Sequence, residues 1–313
     1  YDGAEGQRRS VRRRSRAVTN GFTAGPTTGG MTEETDAWFA GVDVGDTDAA
    51  SERVRTGSAE RPADWPTLAI EQGVAVDEEA YYDLLHEVTM AATETAVREG
   101  ERAGDRQLIH AVRGMDDCDR TANELAERVQ EWAGSLFPDA GTGIEGARDI
   151  AERDPTDPTE RRVVALADRV AGLADEAEDL REYIQQTAPS VAPNLARLAG
   201  PVLAARLIAL AGGLESLAKK PAGTIQVLGA EDALFAHLRG RAPSPKHGVI
   251  FTHEYVRGTR QADRGSAARA LSGKLAIAAR GDHYRGEFNP EIETQLEDRM
   301  ATIRARAEEE TDE

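Results

Sequence analysis

Two long segments of the chain carry apolar residues at helical spacing. These residues recur every three or four positions from Leu108 to Leu136 and again from Val163 to Ile184, with charged residues between them. About four heptads of this kind in each segment are typical of a coiled coil. Because prolines and glycines between the segments interrupt any continuous helix, the pattern predicts a long antiparallel coiled-coil hairpin over residues 105–188.

Shorter patterns precede the hairpin. Residues 38–42 form a short apolar run that predicts a strand, and Asp77 is placed to cap a helix that runs towards Gly100. We therefore expect a reduced N-terminal α/β unit over residues 31–104. Residues 1–30 are rich in arginine and poor in apolar residues, which favours a disordered basic leader or a mis-set start over a nucleic-acid-binding arm.

After the hairpin the apolar residues become denser, and glycine and proline recur. The pattern predicts buried helices over 195–217 with a break near Gly200, a short helix at 231–238 and a longer helix at 266–280. Residues 247–251 predict a short extended segment. The chain as a whole is therefore expected to be mainly α.

Charge divides the last third of the chain into two parts. The 313 residues carry a net charge of −18, yet residues 189–290 hold 14 Lys or Arg against 7 Asp or Glu. Residues 291–313 hold 3 Arg against 9 acids. We therefore expect a basic helical domain followed by an acidic tail, which is either a charged helix that frays or a solvated end. A basic domain in an acidic chain indicates an anionic partner, with a solvated face as the alternative.

Lysine is scarce, since only four lysines stand beside 34 arginines. Abundant acid and few lysines favour the hypothesis of a halophilic protein, adapted to a high-salt cytoplasm in which self-repulsion is screened. We expect the folded state to lose stability at low ionic strength, because the acidic groups then repel one another. Thermal unfolding at decreasing salt concentration measures this, and unchanged stability contradicts the hypothesis.

Several classes of chemistry are disfavoured. The one cysteine, Cys118, excludes an internal disulfide and a multi-cysteine zinc site, and a reducing, cytoplasmic setting is expected. The sequence contains no run of roughly 18 apolar residues, which is the length that predicts a membrane-spanning helix. Gly141 to Gly146 match the spacing of a dinucleotide loop, but no strand precedes them, so a loop at the hairpin tip is preferred. His247 and His253 lack a third ligand. We expect no metal, no cofactor and no catalytic residue.

Five stretches of the sequence, in one order, resemble the Nop domain family. The first two, residues 105–109 and residues 123–132 closing on 137–139, resemble the start of the family's coiled coil. The other three resemble its basic domain: LAKKPAGTIQVLGAEDALF at 217–235, PKHGVIF at 245–251 and RGSAARALSGKLAIAAR at 264–280. Several separate motifs in one order are a specific signal, unlike a single glycine pattern.

The archaeal member of this family is the scaffold protein of box C/D ribonucleoproteins, which methylate ribose 2′-hydroxyls at sites chosen by a guide RNA. The resemblance implies that the Nop domain, residues 189–290, grips the kink-turn of the box C/D guide RNA together with a small ribosomal-type kink-turn-binding protein. It also implies a homodimer formed through the coiled coil, and an N-terminal domain that holds the methyltransferase fibrillarin. The chain is then a non-catalytic subunit in rRNA processing.

The resemblance and the basic charge together nominate candidate residues. For RNA and the kink-turn-binding protein they are Lys219, Lys220, Thr224, Gln226, Gly229, Ala230, Glu231, Arg239, Lys246, His247, Arg264, Lys274 and Arg280. For the dimer they are Leu125, Val129, Trp132, Val170, Leu173 and Leu180. For fibrillarin they are Trp38, Phe39, Tyr81 and Tyr82. Asp232 stands where the family usually has a lysine.

Two other functions remain open at this point. One is a Nop-domain component of a splicing-type particle, and the other is a coiled-coil adaptor between proteins without direct RNA contact. The apolar residues of the motifs, Leu234, Phe235, Ile250 and Leu275 among them, are expected to lie in the core.

Overall fold

A computed structural model of the chain describes residues 36–61 and 63–312, with the backbone alone from 307 onward. Within these ranges there are fourteen α-helices, one 3₁₀ turn and no strand, which confirms the mainly α prediction. The chain divides into two compact units, one up to Ala92 and one from Thr93 onward. The expected basic leader at 1–30 lies outside the described residues.

From residue 36 onward, the described part of the first unit holds three helices: α1 (Thr47–Thr56), α2 (Trp65–Glu71) and most of α3 (Glu78–Glu101). Each of them begins after an aspartate. Asp46, Asp64 and Asp77 accept a hydrogen bond from a backbone N–H in the first turn, and the bond from Ala80 N to Asp77 Oδ1 measures 2.8 Å. A side-chain cap of this kind satisfies a donor that the helix itself leaves unpaired. The predicted cap at Asp77 is thus confirmed.

The predicted strand at residues 38–42 is wrong. This segment turns back on itself, with a hydrogen bond of 3.0 Å from Ala40 N to Ala37 O, and Gly41 adopts a positive φ of 72°. The turn lets Phe39 pack edge-to-face on Tyr81 with ring centroids 6.3 Å apart. The apolar run therefore builds a small aromatic core, and the described part of this unit contains helices rather than an α/β arrangement.

The predicted hairpin is confirmed. Its arms are α4 (Gly104–Ala133) and α6 (Pro158–Val191). They run antiparallel, since Gly104 lies against Val191 and Gly114 against Leu180. Asp157 caps α6 by accepting hydrogen bonds from two N–H groups of its first turn. Pro189 directly follows the predicted end of the hairpin at residue 188 but lies inside the last turn of α6. A proline there costs only one hydrogen bond near a helix end.

The tip of the hairpin contains a helix where a loop was predicted. Helix α5 (Gly143–Ala151) packs on both arms. A Cβ on Gly146 would lie 2.1 Å from the carbonyl oxygen of Gly141, so only glycine permits this close approach. The glycine spacing of residues 141–146 therefore serves helix packing. No strand precedes it in the described chain, as a dinucleotide site requires.

Nine further elements follow the hairpin in the described residues up to 312. They are α7 (Pro193–Ala199), α8 (Pro201–Ala211), α9 (Leu214–Ala218), α10 (Ala222–Val227), α11 (Glu231–Leu238), the 3₁₀ turn Val249–Thr252, α12 (Glu254–Arg257), α13 (Arg264–Tyr284) and α14 (Glu291–Asp312). The predicted break near Gly200 and the predicted helices at 231–238 and 266–280 are confirmed.

The predicted extended segment at 247–251 is wrong in its second half. Gly248 N and Val249 N donate to the carbonyls of Gln226 and Leu228, at 2.8 and 2.7 Å, in the manner of a short extended contact. The chain then tightens into the 3₁₀ turn, which buries Ile250. Burial of one apolar residue thus outweighs the extended preference of the segment.

Over residues 291–306 the acidic tail is not a frayed or solvated end. Helix α14 buries Ile292, Leu296, Met300 and Ile303, which form one stripe at helical spacing. Glu293 accepts a hydrogen bond of 2.8 Å from Arg197 Nε on α7. The tail therefore packs on the same core as the central helix α13 and the base of the hairpin.

Within the described residues no single helix is both long and apolar enough to cross a bilayer. Only the pair α7 and α8, taken together and bent by 117°, meets that requirement by length and composition.

Candidate nucleic-acid interface

The cations of residues 189–290 are mostly left without acidic partners. Among the described residues, four of the fourteen Lys and Arg side chains in this domain reach a carboxylate within 4.0 Å. In the hairpin, residues 105–188, six of ten do so. A chain with 56 acids has ample means to pair its cations, so this surplus of free positive charge indicates an anionic ligand.

The ten side chains of this domain that form no ion pair with a described carboxylate include most of the predicted basic residues. They are Lys220, Arg239, Arg241, Lys246, Arg257, Arg264, Arg269, Lys274, Arg280 and Arg285.

Two of these cations, Lys246 and Arg269, line a polar groove of about 490 Å3 between α10, the loop before His247 and the start of α13. We call it the basic groove. Ser244 and Ser266 add hydroxyl groups to its lining. Cations together with hydroxyl donors are the side chains with which proteins hold phosphate oxygens. Arg269 lies in the motif at 264–280 and contributes to the basic charge of the domain, but it is not among the RNA contacts nominated from the sequence.

The loop that carries Lys246 is held in place by a hydrogen bond and by a close backbone contact. Gln226 Nε2 donates to the Lys246 carbonyl at 2.7 Å. A Cβ on Gly248 would lie 2.0 Å from the Leu228 carbonyl oxygen, so a glycine is required here. Gln226, a predicted RNA contact, is therefore engaged in positioning Lys246. Thr224 lies on the same short helix and is exposed.

An aromatic stack flanks the basic groove. The His247 ring stacks on Phe251 with centroids 4.6 Å apart, and the Arg264 guanidinium lies 5.4 Å from the Phe251 ring centroid. Arg264 Nε also donates to the Thr259 carbonyl at 3.1 Å. Burial, and then the positive charges of Arg264 and Lys246, lower the pKa of His247 below its ordinary 6.5. The imidazole is therefore neutral at pH 7, and the positive charge belongs to its neighbours.

The motif at residues 229–232 opens a helix that packs on little else. Gly229 has a φ of +81°, and its N–H donates to Glu231 Oε1 at 2.8 Å, which closes the turn before α11. No residue of α11 is buried. Phe235 and Leu238 are 55% and 70% exposed. Leu234 is half-buried and belongs to none of the described core clusters, so the expectation that Leu234 and Phe235 lie in the core is wrong. An exposed apolar helix beside a basic groove offers a protein partner a surface.

The predicted RNA residues do not form one continuous site. Lys246 packs against Gly265 near the start of α13, whereas Arg280 lies fifteen residues further along the same helix, a rise of about 22 Å. Arg280 Nη2 donates to the Lys220 carbonyl at 3.2 Å. Lys219 is next in the chain and pairs with Glu215. These three cations therefore form a second cluster at the far end of α13.

Three other predicted contacts have separate positions. The Lys274 amine donates to Gln295 Oε1 of α14, so this side chain faces the tail helix. Arg239 is exposed at the end of α11. Ala230 is half-buried, with its N–H bonded to the Val227 carbonyl.

A family model described as "Nop: snoRNA binding domain, fibrillarin" matches residues 142–302, slightly more than half of the chain. The chain belongs to the Nop family. A NOP5 family protein of Methanocaldococcus jannaschii is 34% identical over an alignment of 257 residues, and the match covers 70% of this chain and 62% of that protein. Nucleolar protein 56 of Saccharomyces cerevisiae is 30% identical over an alignment of 269 residues, and the match covers 71% of this chain and 53% of that protein.

The chain thus spans about half to three-fifths of the length of the curated relatives it matches. Among solved structures, a crystal structure of a fibrillarin/Nop5p complex aligns with a TM-score of 0.48 and 25% identity. The alignment covers 86% of this chain and 99% of that one.

The dimer residues expected of a Nop family coiled coil have two different roles. Val129 and Val170 are buried within the tip of the hairpin itself. Leu125, Leu173 and Leu180 are half-buried and pack against the cores that hold the two arms together, while Trp132 is exposed on α4. The heptad pattern is therefore used mainly within one chain, and of this set Trp132 presents the largest free surface.

The fibrillarin residues expected of the Nop family also divide. Phe39 and Tyr81 are buried in the core of the first unit, and Trp38 is half-buried and donates from Nε1 to Tyr81 Oη at 3.3 Å. Tyr82 is exposed. Three of the four residues thus build the small core, and Tyr82 is the one that a partner can reach directly.

The ring of His253, one of the two histidines considered as metal ligands, is held by hydrogen bonds within the fold. His253 Nε2 donates to the Leu198 carbonyl at 2.9 Å, and Nδ1 accepts from Tyr255 N at 3.1 Å, so both ring nitrogens are occupied. Burial lowers the pKa of His253. Within the described residues no group of three or more His, Cys, Asp or Glu side chains is placed to hold a metal ion.

Proposed function

We propose that this chain is a non-catalytic scaffold of a box C/D-type guide ribonucleoprotein, and that it binds kink-turn RNA together with the kink-turn-binding protein. The observation that carries this proposal is the basic groove. Two cations without ion-pair partners, Lys246 and Arg269, lie there beside serine hydroxyls, inside the segment that matches the snoRNA-binding family model. RNA offers phosphates and shape to a protein more readily than base edges, and this groove is equipped for phosphates.

The surface beside the groove supports joint recognition of RNA and protein. Helix α11 exposes Phe235 and Leu238. A second groove of about 620 Å3 next to it is lined in part by Leu210, Val249 and Phe251. Apolar surface of this kind binds protein rather than phosphate, since burying it releases water from both partners. We infer that the kink-turn-binding protein covers this surface while its RNA occupies the basic groove.

The acidic composition gives joint recognition a physical reason. Phosphate-driven affinity falls steeply with salt, because counterion release then gains less free energy. In a high-salt cytoplasm, cations alone would hold naked RNA weakly. Apolar contact with a bound protein keeps its strength there. The composite surface therefore supplies affinity under the conditions in which charge supplies little.

The other partners of the scaffold are proposed from what the structure leaves accessible. We infer that two chains pair through the outer face of the hairpin, where Trp132 is exposed, and that fibrillarin contacts the first unit near Tyr82. A coiled-coil adaptor without RNA contact would leave the surplus of free cations in residues 189–290 unexplained, so the scaffold is preferred.

The proposal predicts what accompanies the chain in its native cell. A tagged full-length chain, purified at native ionic strength, is expected to enrich guide RNAs with paired C and D boxes, the kink-turn-binding protein and fibrillarin. Sequencing of the RNA and mass spectrometry of the proteins measure this, with an untagged strain as the control. Enrichment of spliceosomal-type RNA, or of proteins without RNA, contradicts the proposal.

A further inference from the structure

The far end of α13 bears a second surface with its own chemistry. A groove of about 440 Å3 is lined by Ile277, Arg280, Tyr284, Arg285 and Phe288, among others. We call it the aromatic groove. Three of its apolar side chains are large and open to solvent, with Ile277 at 47%, Tyr284 at 62% and Phe288 at 52% exposure, whereas Ile292 is buried. Exposed rings gathered in one groove are unusual on a free surface.

Positive charge surrounds these rings. Arg280 and Arg285 line the groove, and Lys220 lies behind Arg280, which donates to its carbonyl. None of these three side chains has a carboxylate partner among the described residues. Glu287 is the one acid in the lining. In a chain of net charge −18, a local excess of cations around two aromatic rings needs an explanation.

The turn that presents Phe288 is held firmly. Asn194 Nδ2 donates to the Glu287 carbonyl at 2.8 Å, and Asn289 N donates to Asn194 Oδ1 at 2.7 Å. Asn194 is itself buried and bonded to Asp282 on α13. The residues on both sides of Phe288 are thus tied to the core, and its ring is presented in one position rather than on a frayed end.

We propose that the aromatic groove binds single-stranded RNA, with bases stacked on Tyr284 and Phe288 and phosphates held by Arg280 and Arg285. Aromatic rings beside a cationic track are the usual means by which proteins hold single strands without reading their sequence. The proposal rests on the proposed function, because it adds a second contact for the same RNA. A strand that leaves the basic groove along α13 reaches the aromatic groove after about 22 Å.

The chemistry favours RNA over a protein helix as the occupant. An apolar helix laid on Tyr284 and Phe288 would desolvate the neighbouring guanidinium groups without giving them partners, which is costly. A nucleic-acid strand supplies both a flat base for each ring and a phosphate for each guanidinium. Charge complementarity therefore selects a polyanion with planar groups.

The experiment measures binding of the full chain to a fluorescent single-stranded oligouridine of about twelve nucleotides, by anisotropy over a range of salt concentrations. Replacing both rings with leucine, Tyr284→Leu and Phe288→Leu, keeps apolar volume but removes stacking. We expect at least about a tenfold loss of affinity. The Tyr284→Phe variant keeps the ring and is expected to bind like wild type. Tyr183→Ala, at an exposed tyrosine of the hairpin, is the matched control and should change nothing.

The salt dependence of binding distinguishes the contribution of charge to the affinity from the contribution of stacking. Arg285→Gln is expected to reduce the slope of log affinity against log salt by about 0.7, the value for one phosphate contact on a single strand. The leucine variant should leave that slope unchanged. A blunt duplex of the same length, whose bases are not free to stack, is expected to bind more weakly than the single strand.

The outcomes distinguish this proposal from the one on which it rests. A chain that binds protein-loaded kink-turn RNA but not oligouridine, or whose leucine variant binds oligouridine like wild type, overturns the aromatic groove as an RNA site. The scaffold proposal is unaffected by that result, and a protein becomes the favoured occupant of the aromatic groove. A chain that binds neither ligand overturns both proposals. Unfolding temperatures of all variants within a few degrees of wild type show that the losses come from binding.

Discussion

Reversing the charge at Lys246 and Arg269 is expected to weaken binding to protein-loaded kink-turn RNA by about a hundredfold or more. Both side chains line the basic groove and lack a carboxylate partner among the described residues. A lost phosphate contact, replaced by a repelling carboxylate, costs at least about tenfold at each position. Both side chains are exposed, so the double variant Lys246→Glu and Arg269→Glu should unfold close to the wild-type temperature.

A gel shift at native ionic strength measures this effect on two ligands, naked kink-turn RNA and the same RNA with its kink-turn-binding protein. Wild type is expected to bind the naked RNA weakly and the loaded RNA firmly. The control is Arg162→Glu with Arg299→Glu, an equal change in net charge at two exposed residues outside the groove. If wild type binds both ligands with equal affinity, joint recognition of RNA and protein is contradicted. If the control variant loses as much affinity as the groove variant, the net charge of the protein explains the loss and the groove does not.

Lys274 is a poor choice for this test, although its place among the basic motifs makes it an obvious one. Its amine is bonded to Gln295 of α14. Charge reversal there would disturb the packing of the tail helix, so a loss of binding would have two explanations. The structure thus directs the experiment to Arg269, which the sequence pattern does not single out.

Long periodic elements were predictable from the sequence because their signal is repeated many times. The hairpin arms carry about four heptads each, and one misplaced residue does not hide such a pattern. The helix at 231–238 was predictable from local features, a glycine before it and acids in its first turn. These predictions rest on neighbours in the chain, and the structure confirms them.

Features that depend on distant residues were not predictable. Residues 38–42 read as a strand, yet Phe39 is fixed by Tyr81, which lies far along the chain. The tail reads as a solvated acidic helix, because its charges obscure the buried stripe from Ile292 to Ile303. Local propensity is overridden in both places by burial against a surface that the sequence alone does not place.

The arrangement of the candidate site was also not predictable from the sequence. A count of basic residues identifies the domain 189–290 but not which cations are paired. Only the structure shows that Lys219 is neutralised by Glu215 and that Arg280 belongs with Tyr284 at the far end of α13. Pairing and separation are properties of the fold, so a list of basic residues from the motifs merges two surfaces into one.

Asp282→Ala is expected to destabilise the domain by on the order of 3–5 kcal/mol. Asp282 is buried on α13, and its carboxylate joins elements 88 residues apart in the sequence. Oδ1 accepts from Asn194 N and Nδ2 at 2.9 and 2.6 Å, and Oδ2 accepts from Leu195 N at 2.9 Å. Alanine removes the acceptor and leaves these buried donors without partners. An unsatisfied buried donor costs about 1–3 kcal/mol.

The effect is expected to reach the aromatic groove, because Asn194 also holds the turn at residues 287–289. Urea unfolding gives the free energy, and oligouridine anisotropy gives the state of the groove. Asp298→Ala, at an exposed acid of α14, is the matched control and should change stability by less than about 0.5 kcal/mol. A loss of stability no larger than in this control would show that the Asp282 contacts contribute nothing measurable.

The pH dependence gives a further check on the same residue. Burial raises the pKa of Asp282 above its ordinary 3.8, although hydrogen bonds from Leu195 and Asn194 act in the opposite direction. The folded chain therefore holds this proton more tightly than the unfolded chain does. By linkage, the stability contributed by the group is largest below the unfolded pKa and falls as pH rises through the folded pKa. The amide of Asp282→Asn does not titrate here. The free energy of unfolding of wild type, measured relative to that of this variant, should therefore fall as pH rises from about 4 to 7. If the relative stability of wild type rises over that range instead, the three hydrogen-bond donors outweigh burial and stabilise the ionised carboxylate.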